Sequence, residues 1–197
     1  MSPDTTSPLR LILGLMTFGP NAAQGGRITS LDAFNACLDQ FQHRGYNEVN
    51  TARLYVGGKQ EAFTAETHWK ERGLKKATKW YPIMPGAFKA DMIKTKLEES
   101  LTELKTDSVD IFYLHAADRT VPFEETLEAV DQLYKAGKFK QLGLSNFSSF
   151  EVAEVVTTCN LRGWVRPTIY QGVYNAISKS KSHRRISWTN LTTSPIN

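Results

Sequence analysis

The sequence predicts an α/β protein with a parallel sheet, and three observations carry that prediction. Apolar strand-like runs alternate with helix-like runs at about 30 residues per unit, the size of a strand–helix–strand module. The strand runs are almost wholly apolar, as strands buried on both faces by helices are. Each helical stretch repeats its apolar residues at three and four. An open doubly wound sheet and a (β/α)8 barrel both satisfy this pattern. A dinucleotide-binding open sheet carries a Gly-rich turn after its first strand. Here that region reads GLMTFGPNAAQGG, with no G-x-G-x-x-G, and no P-loop occurs. The missing fingerprint favours the barrel.

The elements follow in order. Leu9 to Gly19 reads as a buried strand, and Thr29 to Arg44 as a helix with Leu31, Phe34, Leu38 and Phe41 on one face. Thr29 is placed to cap that helix and Gly45 to stop it. Tyr46 to Thr51 is a short strand. Gln60 to Arg72 is a helix ending at Gly73, and Lys76 to Tyr81 a strand stopped by Pro82. Asp91 to Lys105 is helical through Ile93, Leu97, Leu101 and Leu104, and Val109 to Leu114 is the fourth strand. Pro122 opens a helix whose first turn holds Glu124 and Glu125 at its positive end, and Gly137 closes it. Phe139 to Leu144 is the fifth strand. Ser148 and Glu151 form a capping box stapled by Phe147 and Val152, opening a helix that runs to about Arg162. Thr168 to Tyr174 is the sixth strand. Residues 1–175 therefore read as a run of six strand–helix units, and their periodicity alone does not choose between the open sheet and the barrel. Residues 176–197, without an acidic side chain, read as a disordered tail.

Composition excludes other classes. The 197 residues are 41% hydrophobic, too many for a disordered chain. Two cysteines and four histidines support neither a disulfide framework nor a metal site, so no metal is expected. No run of about 18 apolar residues predicts a membrane span, and the polar N-terminus does not read as a signal peptide. A reduced, cytoplasmic setting is the expectation. The net charge of +4 comes from Lys179, Lys181, Arg184 and Arg185, leaving 20 basic and 20 acidic residues before them. The charge is thus no footprint of a nucleic-acid or membrane partner.

In parallel α/β folds chemistry gathers where strands end. Past the six strands stand Met16 and Phe18, then Asn50 with Tyr55, then Lys79, His115, Ser145 with Asn146, and Gln171. Each has a structural reading as a rim, core or turn residue. Together, a phenol, a cation able to lower its pKa and an imidazole form a set suited to proton transfer.

Five segments, NTARLYVGGKQEAF (50–63), ATKWYP (77–82), LTELKTDSVDIFYLHAADR (101–119), GKFKQLGLSNF (137–147) and PTIYQGVYN (167–175), resemble the aldo-keto reductases, in particular their aflatoxin-aldehyde reductase-like branch. The resemblance implies a (β/α)8 barrel and NADPH-dependent reduction of small aldehydes or ketones. It implies Tyr55 as general acid, Lys79 as its polarising cation and His115 as the group that orients the carbonyl. Ser145, Asn146 and Gln171 match the residues that hold the nicotinamide carboxamide, and Met16 and Phe18 border the substrate pocket. Asn50 stands where the family usually has Asp, so it meets Lys79 without a negative charge. Two other readings stand beside the enzyme: a catalytically inactive fragment or pseudoenzyme, and a regulatory binding module like the potassium-channel β subunits. Six strands in place of eight also predict self-association through open sheet edges.

Overall fold

A computed structural model describes residues 10–173 and 175. Residues 176–197, read from the sequence as a tail, lie outside them. The chain divides into two compact units between Ala77 and Thr78.

The first unit holds β1 (Leu13–Gly14), α1 (Leu31–His43), β2 (Glu48–Asn50), the four-residue turn α2 (Tyr55–Gly58), α3 (Gln60–Ala65) and the first half of β3 (Lys75–Trp80). All strand pairing in it is parallel. Leu13 and Gly14 register with Val49 and Asn50, and Glu48 to Asn50 register with Lys75 to Ala77. Leu15, Phe34, Leu38, Val49 and Leu74 form its core, joined by Phe63 and Trp69. Ser30, not Thr29, caps α1: its Oγ accepts from Ala33 N at 3.2 Å. Ser30 immediately precedes the first helical residue, the position from which a short hydroxyl reaches the free N–H groups of the first turn. Two elements are shorter than the sequence predicts. β1 keeps two residues of an eleven-residue apolar run, because the chain turns at once and its backbone bonds are taken locally: Phe18 N donates to Leu15 O at 3.0 Å and Gly19 N to Ile28 O at 2.9 Å. α3 ends at Ala65, and the hydroxyl of Thr67 bonds back to Thr64 O at 2.7 Å, closing the chain into turns.

The second unit holds the rest of β3, α4 (Ala90–Glu103), β4 (Val109–Leu114), α5 (Phe123–Lys135), β5 (Phe139–Ser145), α6 (Ser149–Arg162) and β6 (Pro167–Gln171). Its strands neighbour one another in chain order, and β4, β5 and β6 are parallel, with Val109 opposite Phe139 and Ser145 opposite Gln171. Apolar faces of α4, α5 and α6 meet the strands in one core that includes Phe88, Leu97, Phe112, Val130, Leu144 and Val155. The Ser148–Glu151 capping box is present, with both reciprocal bonds. Phe147 and Val152, its expected staple, are both buried in that core. Gly137, at φ 73°, ends α5 where a side chain would be strained. The repeated strand–helix order and parallel pairing are those of a (β/α)8 barrel, with six strands among the described residues.

Candidate active site

In the first unit, β2 delivers Asn50, 4% exposed, to the strand end. Its backbone carbonyl accepts from Leu15 N at 3.0 Å. The following residue, Thr51, donates both its N–H and its hydroxyl to Ala77 O, each at 2.8 Å, and so fixes the end of β2 against β3. The chain then turns through Tyr55. Val56 and Gly57 take φ of 49° and 61°, left-handed conformations inside α2. For a β-branched residue this is strained, and such strain is stored where surrounding packing over-determines it. The packing is visible. Val56 is buried, and its side chain fills the space a Cβ on Gly19 would occupy, 2.9 Å away. Gln24 does the same over Gly57, with its Oε1 at 2.4 Å from such a Cβ. The loop after β1 therefore clamps the turn that carries Tyr55. Tyr55 is half-buried, and burial raises its phenol above the usual 10.0. That direction is opposite to the lowering expected from a nearby cation. It keeps the group protonated at neutral pH, the form in which a phenol can give a proton.

Met16 is 60% exposed, as a rim residue is. Phe18 is only 7% exposed and lies in the first unit's core, 4.8 Å from the Phe34 ring.

In the second unit, Lys79 is carried near the end of β3 and is 2% exposed. Its ammonium lies 5.8 Å from the centroid of the Tyr113 ring, within cation–π range. Tyr113, also 2% exposed, can lie there because its sheet partner is Gly143: a Cβ on Gly143 would sit 2.2 Å from the ring. His115 follows β4, and its N–H donates to Trp80 O at 3.0 Å. Its imidazole meets the Tyr81 ring edge-on, with centroids 5.3 Å apart. Burial, with the positive charge of Lys79 adding to it, lowers the His115 pKa to about 4. At neutral pH the imidazole is therefore uncharged, with one nitrogen a hydrogen-bond donor and the other of acceptor character.

Beside His115 the ends of β5 and β6 join. Asn146 has φ 57°, a conformation Asn tolerates. Its Nδ2 donates to His115 O and to Ser145 Oγ, both at 3.0 Å, and its backbone N–H donates to Gln171 O at 3.3 Å. Ser145 is 3% exposed. Gln171 Oε1 is buried without a hydrogen-bond partner, and such an atom costs on the order of 1–3 kcal/mol unless a ligand satisfies it. This arrangement fits a bound primary amide: an unsatisfied acceptor for its N–H, next to hydroxyl and amide groups. Thus the structure brings together His115, Ser145, Asn146 and Gln171, with Lys79 acting electrostatically on His115. Tyr81, Tyr113 and Gly143 were not anticipated. A glycine within the apolar run Phe139–Ser145 was the available signal, since such a glycine marks a close approach.

Among the described residues, no group of three or more His, Cys, Asp or Glu is placed to hold a metal ion, and no helix is long and apolar enough to cross a membrane.

Residues 10–189 match the Aldo/keto reductase family, a span that continues past residue 175. An aldo-keto reductase of Pseudocercospora fijiensis is 44% identical over 147 residues, covering 73% of this chain and 50% of that protein. Aflatoxin B1 aldehyde reductase member 2 of Mus musculus is 41% identical over 179 residues, covering 88% of this chain and 47% of that protein. Among solved structures, an aldo-keto reductase from Klebsiella pneumoniae in complex with NADPH superposes with a TM-score of 0.68 at 25% identity, covering 83% of this chain and 54% of that one. The chain spans about half the length of the curated relatives it matches. With a match over most of its length and relatives above 40% identity, this chain belongs to the aldo/keto reductase family.

Proposed function

We propose that this chain carries the carbonyl-handling residues, and the nicotinamide-holding part of the cofactor site, of an NADPH-dependent oxidoreductase that reduces aldehydes or ketones. The observation that supports this best is the second unit's cluster of His115, Ser145, Asn146 and Gln171, with its buried, unsatisfied amide oxygen. Ser145, Asn146 and Gln171 are the residues to hold a nicotinamide carboxamide. When bound, the cofactor supplies the hydride for the carbonyl carbon.

The remaining roles fall to side chains of this chain. An uncharged imidazole at His115 donates a hydrogen bond to a carbonyl oxygen, orienting it without placing a second cation beside Lys79. Tyr55 holds a proton at neutral pH, and by the family resemblance it is the group to protonate a carbonyl oxygen as negative charge develops. Protonation at that moment is general acid catalysis, typically worth 100- to 10,000-fold. Lys79 contributes positive charge. Asn50 supplies no carboxylate at the position where the family usually has one. We expect this to weaken the reaction without abolishing it. Asn50 is also the observation that favours the second reading, a pseudoenzyme that retains cofactor binding. A cytoplasmic setting and a small carbonyl substrate remain part of the proposal.

Fluorescence titration of the 197-residue chain with NADPH tests it. Saturable binding is expected, weakened at least tenfold by Gln171→Leu. Absence of saturable binding up to millimolar NADPH would remove the cofactor reading for this chain. Binding with no single-turnover oxidation of NADPH by a small aromatic aldehyde would favour the pseudoenzyme.

A further inference from the structure

The turn that carries Tyr55 is held on two flanks. The loop after β1 closes one of them, through Val56 against Gly19 and Gln24 against Gly57. The other depends on Arg53. This stretch needs a hold, because Val56, Gly57 and Gly58 follow one another at φ of 49°, 61° and 79°. A β-branched residue resists that region, and two glycines in succession are free to leave it. α2 has four residues, too short a helix to be stable by its own backbone bonds.

Arg53 spans the turn from its start to its end. Its Nη1 donates to Gly58 O at 2.9 Å and lies 3.8 Å from Glu61 Oε2. The approach is close: a Cβ on Gly58 would stand 3.4 Å from the same Nη1. Glu61 is fully buried, whereas the Arg53 side chain is 20% exposed. A carboxylate taken out of water calls for a positive neighbour, so the guanidinium has a physical reason to lie where it does. Glu61 is itself well fixed. It belongs to α3, whose Gln60, Phe63 and Thr64 are also buried. Gln60 Nε2 donates to Thr64 Oγ1 at 2.7 Å, and the Phe63 ring stacks on Phe34 in the core with centroids 5.6 Å apart.

We propose that Arg53 is a positioning residue for Tyr55: its guanidinium, anchored on buried Glu61, holds the Gly58 carbonyl and so fixes the turn that presents the phenol. This rests on the reading of Tyr55 as the proton donor. Arginine suits the place because its planar fork aims N–H groups in fixed directions, here toward two acceptors. Lysine has the charge without the fork. Arg53 acts through the backbone. A relaxed turn displaces the hydroxyl, and a displacement of about 1 Å costs a reaction on the order of 100-fold. The groups that hold a carboxamide, Ser145, Asn146 and Gln171, stand on or next to β5 and β6. Loss of the hold should therefore show in the chemical step and not in cofactor binding.

The test uses the 197-residue chain with Arg53→Met, Arg53→Lys, and Arg53→Met combined with Glu61→Leu. Arg53→Met alone takes a cation from a buried carboxylate and should destabilise the first unit; the double variant removes both charges and should recover the stability. Two readouts apply to each. One is Tyr55 ionisation, from the 295 nm difference between a variant and the same variant carrying Tyr55→Phe. The other is single-turnover oxidation of bound NADPH by a small aromatic aldehyde. In the double variant Tyr55 should ionise about 0.5 pH unit or more below the parent, as the phenol gains water. Its single-turnover rate should fall roughly 10- to 100-fold, with the NADPH dissociation constant within about twofold of the parent. Arg53→Lys, which keeps the charge beside Glu61, should show smaller changes in the same direction. Either readout at the parental value in the double variant overturns the proposal and leaves the pair a role in stability alone. If the double variant does not fold, fully parental behaviour of Arg53→Lys overturns it. A parent that oxidises no NADPH removes the reading of Tyr55 as donor, and the ionisation readout then decides by itself whether Arg53 places the side chain.

Discussion

Replacing Gly143 by Ala tests whether the packing of the Tyr113 ring depends on a missing side chain. The added Cβ would lie 2.2 Å from Cδ1, 2.3 Å from Cε1 and 2.9 Å from Cγ of Tyr113. Carbon atoms rest at about 3.5–4.0 Å, so either the ring or strand β5 must move by more than 1 Å. Neither has room. Tyr113 is 2% exposed, and Gly143 lies between Leu142 and Leu144, both fully buried. Overpacking of this kind costs about 1–3 kcal/mol. For a chain of this size 2 kcal/mol lowers the melting temperature by roughly 4–8 °C. Urea denaturation measures it, with an unchanged m-value showing that the loss is in the native state. A cycle with Tyr113→Ala isolates the cause. Truncating the ring removes the obstacle, so Gly143→Ala should cost almost nothing in that background, a coupling of about 1–3 kcal/mol. Additive costs within about 0.5 kcal/mol, or a loss below 0.5 kcal/mol for Gly143→Ala alone, would refute the steric reasoning.

Three further outcomes are expected. His115 should titrate near pH 4 by NMR, and Lys79→Met should move it upward toward 6.5, because the lysine charge helps to depress it. Since the folded pKa lies below the unfolded value of about 6.5, the unfolded chain takes up a proton that folded His115 refuses. Stability should therefore fall as pH drops from about 6.5 to 4, by on the order of 2 kcal/mol, and His115→Gln should flatten that slope. For Tyr55, burial predicts ionisation above pH 10; the 295 nm absorbance difference between the parent and Tyr55→Phe reads it, and a transition below 9.5 would contradict the assignment. Ser148→Ala should lose about 1 kcal/mol of cap stability. Burial of Glu151 opposes its ionisation, but hydrogen bonds from Ser148 and the Arg119 guanidinium outweigh it and hold the carboxyl below its usual range. The same variant should therefore raise the Glu151 pKa, and its acid-side stability loss, which in the parent sets in as pH falls below about 4.5, should become shallower.

By itself the sequence determined the strand–helix order, the parallel class of the sheet and the capping box at Ser148. Those depend on periodicity and on contacts a few residues apart. It also placed His115, Ser145, Asn146 and Gln171 at strand ends, because in this class each apolar run announces where its strand stops. Tertiary structure alone decided what depends on neighbours distant in the chain. The length of β1 was set by a loop that takes its hydrogen bonds. Phe18 lies in the core because Phe34, sixteen residues on, packs against it with the rings tilted. The uncharged state of His115 follows from burial and from Lys79 on another strand. Tyr113 lies against β5 because Gly143, thirty residues later, leaves the space. Register between strands and the field at a buried group are sums over such distant partners, and a local pattern carries no record of them.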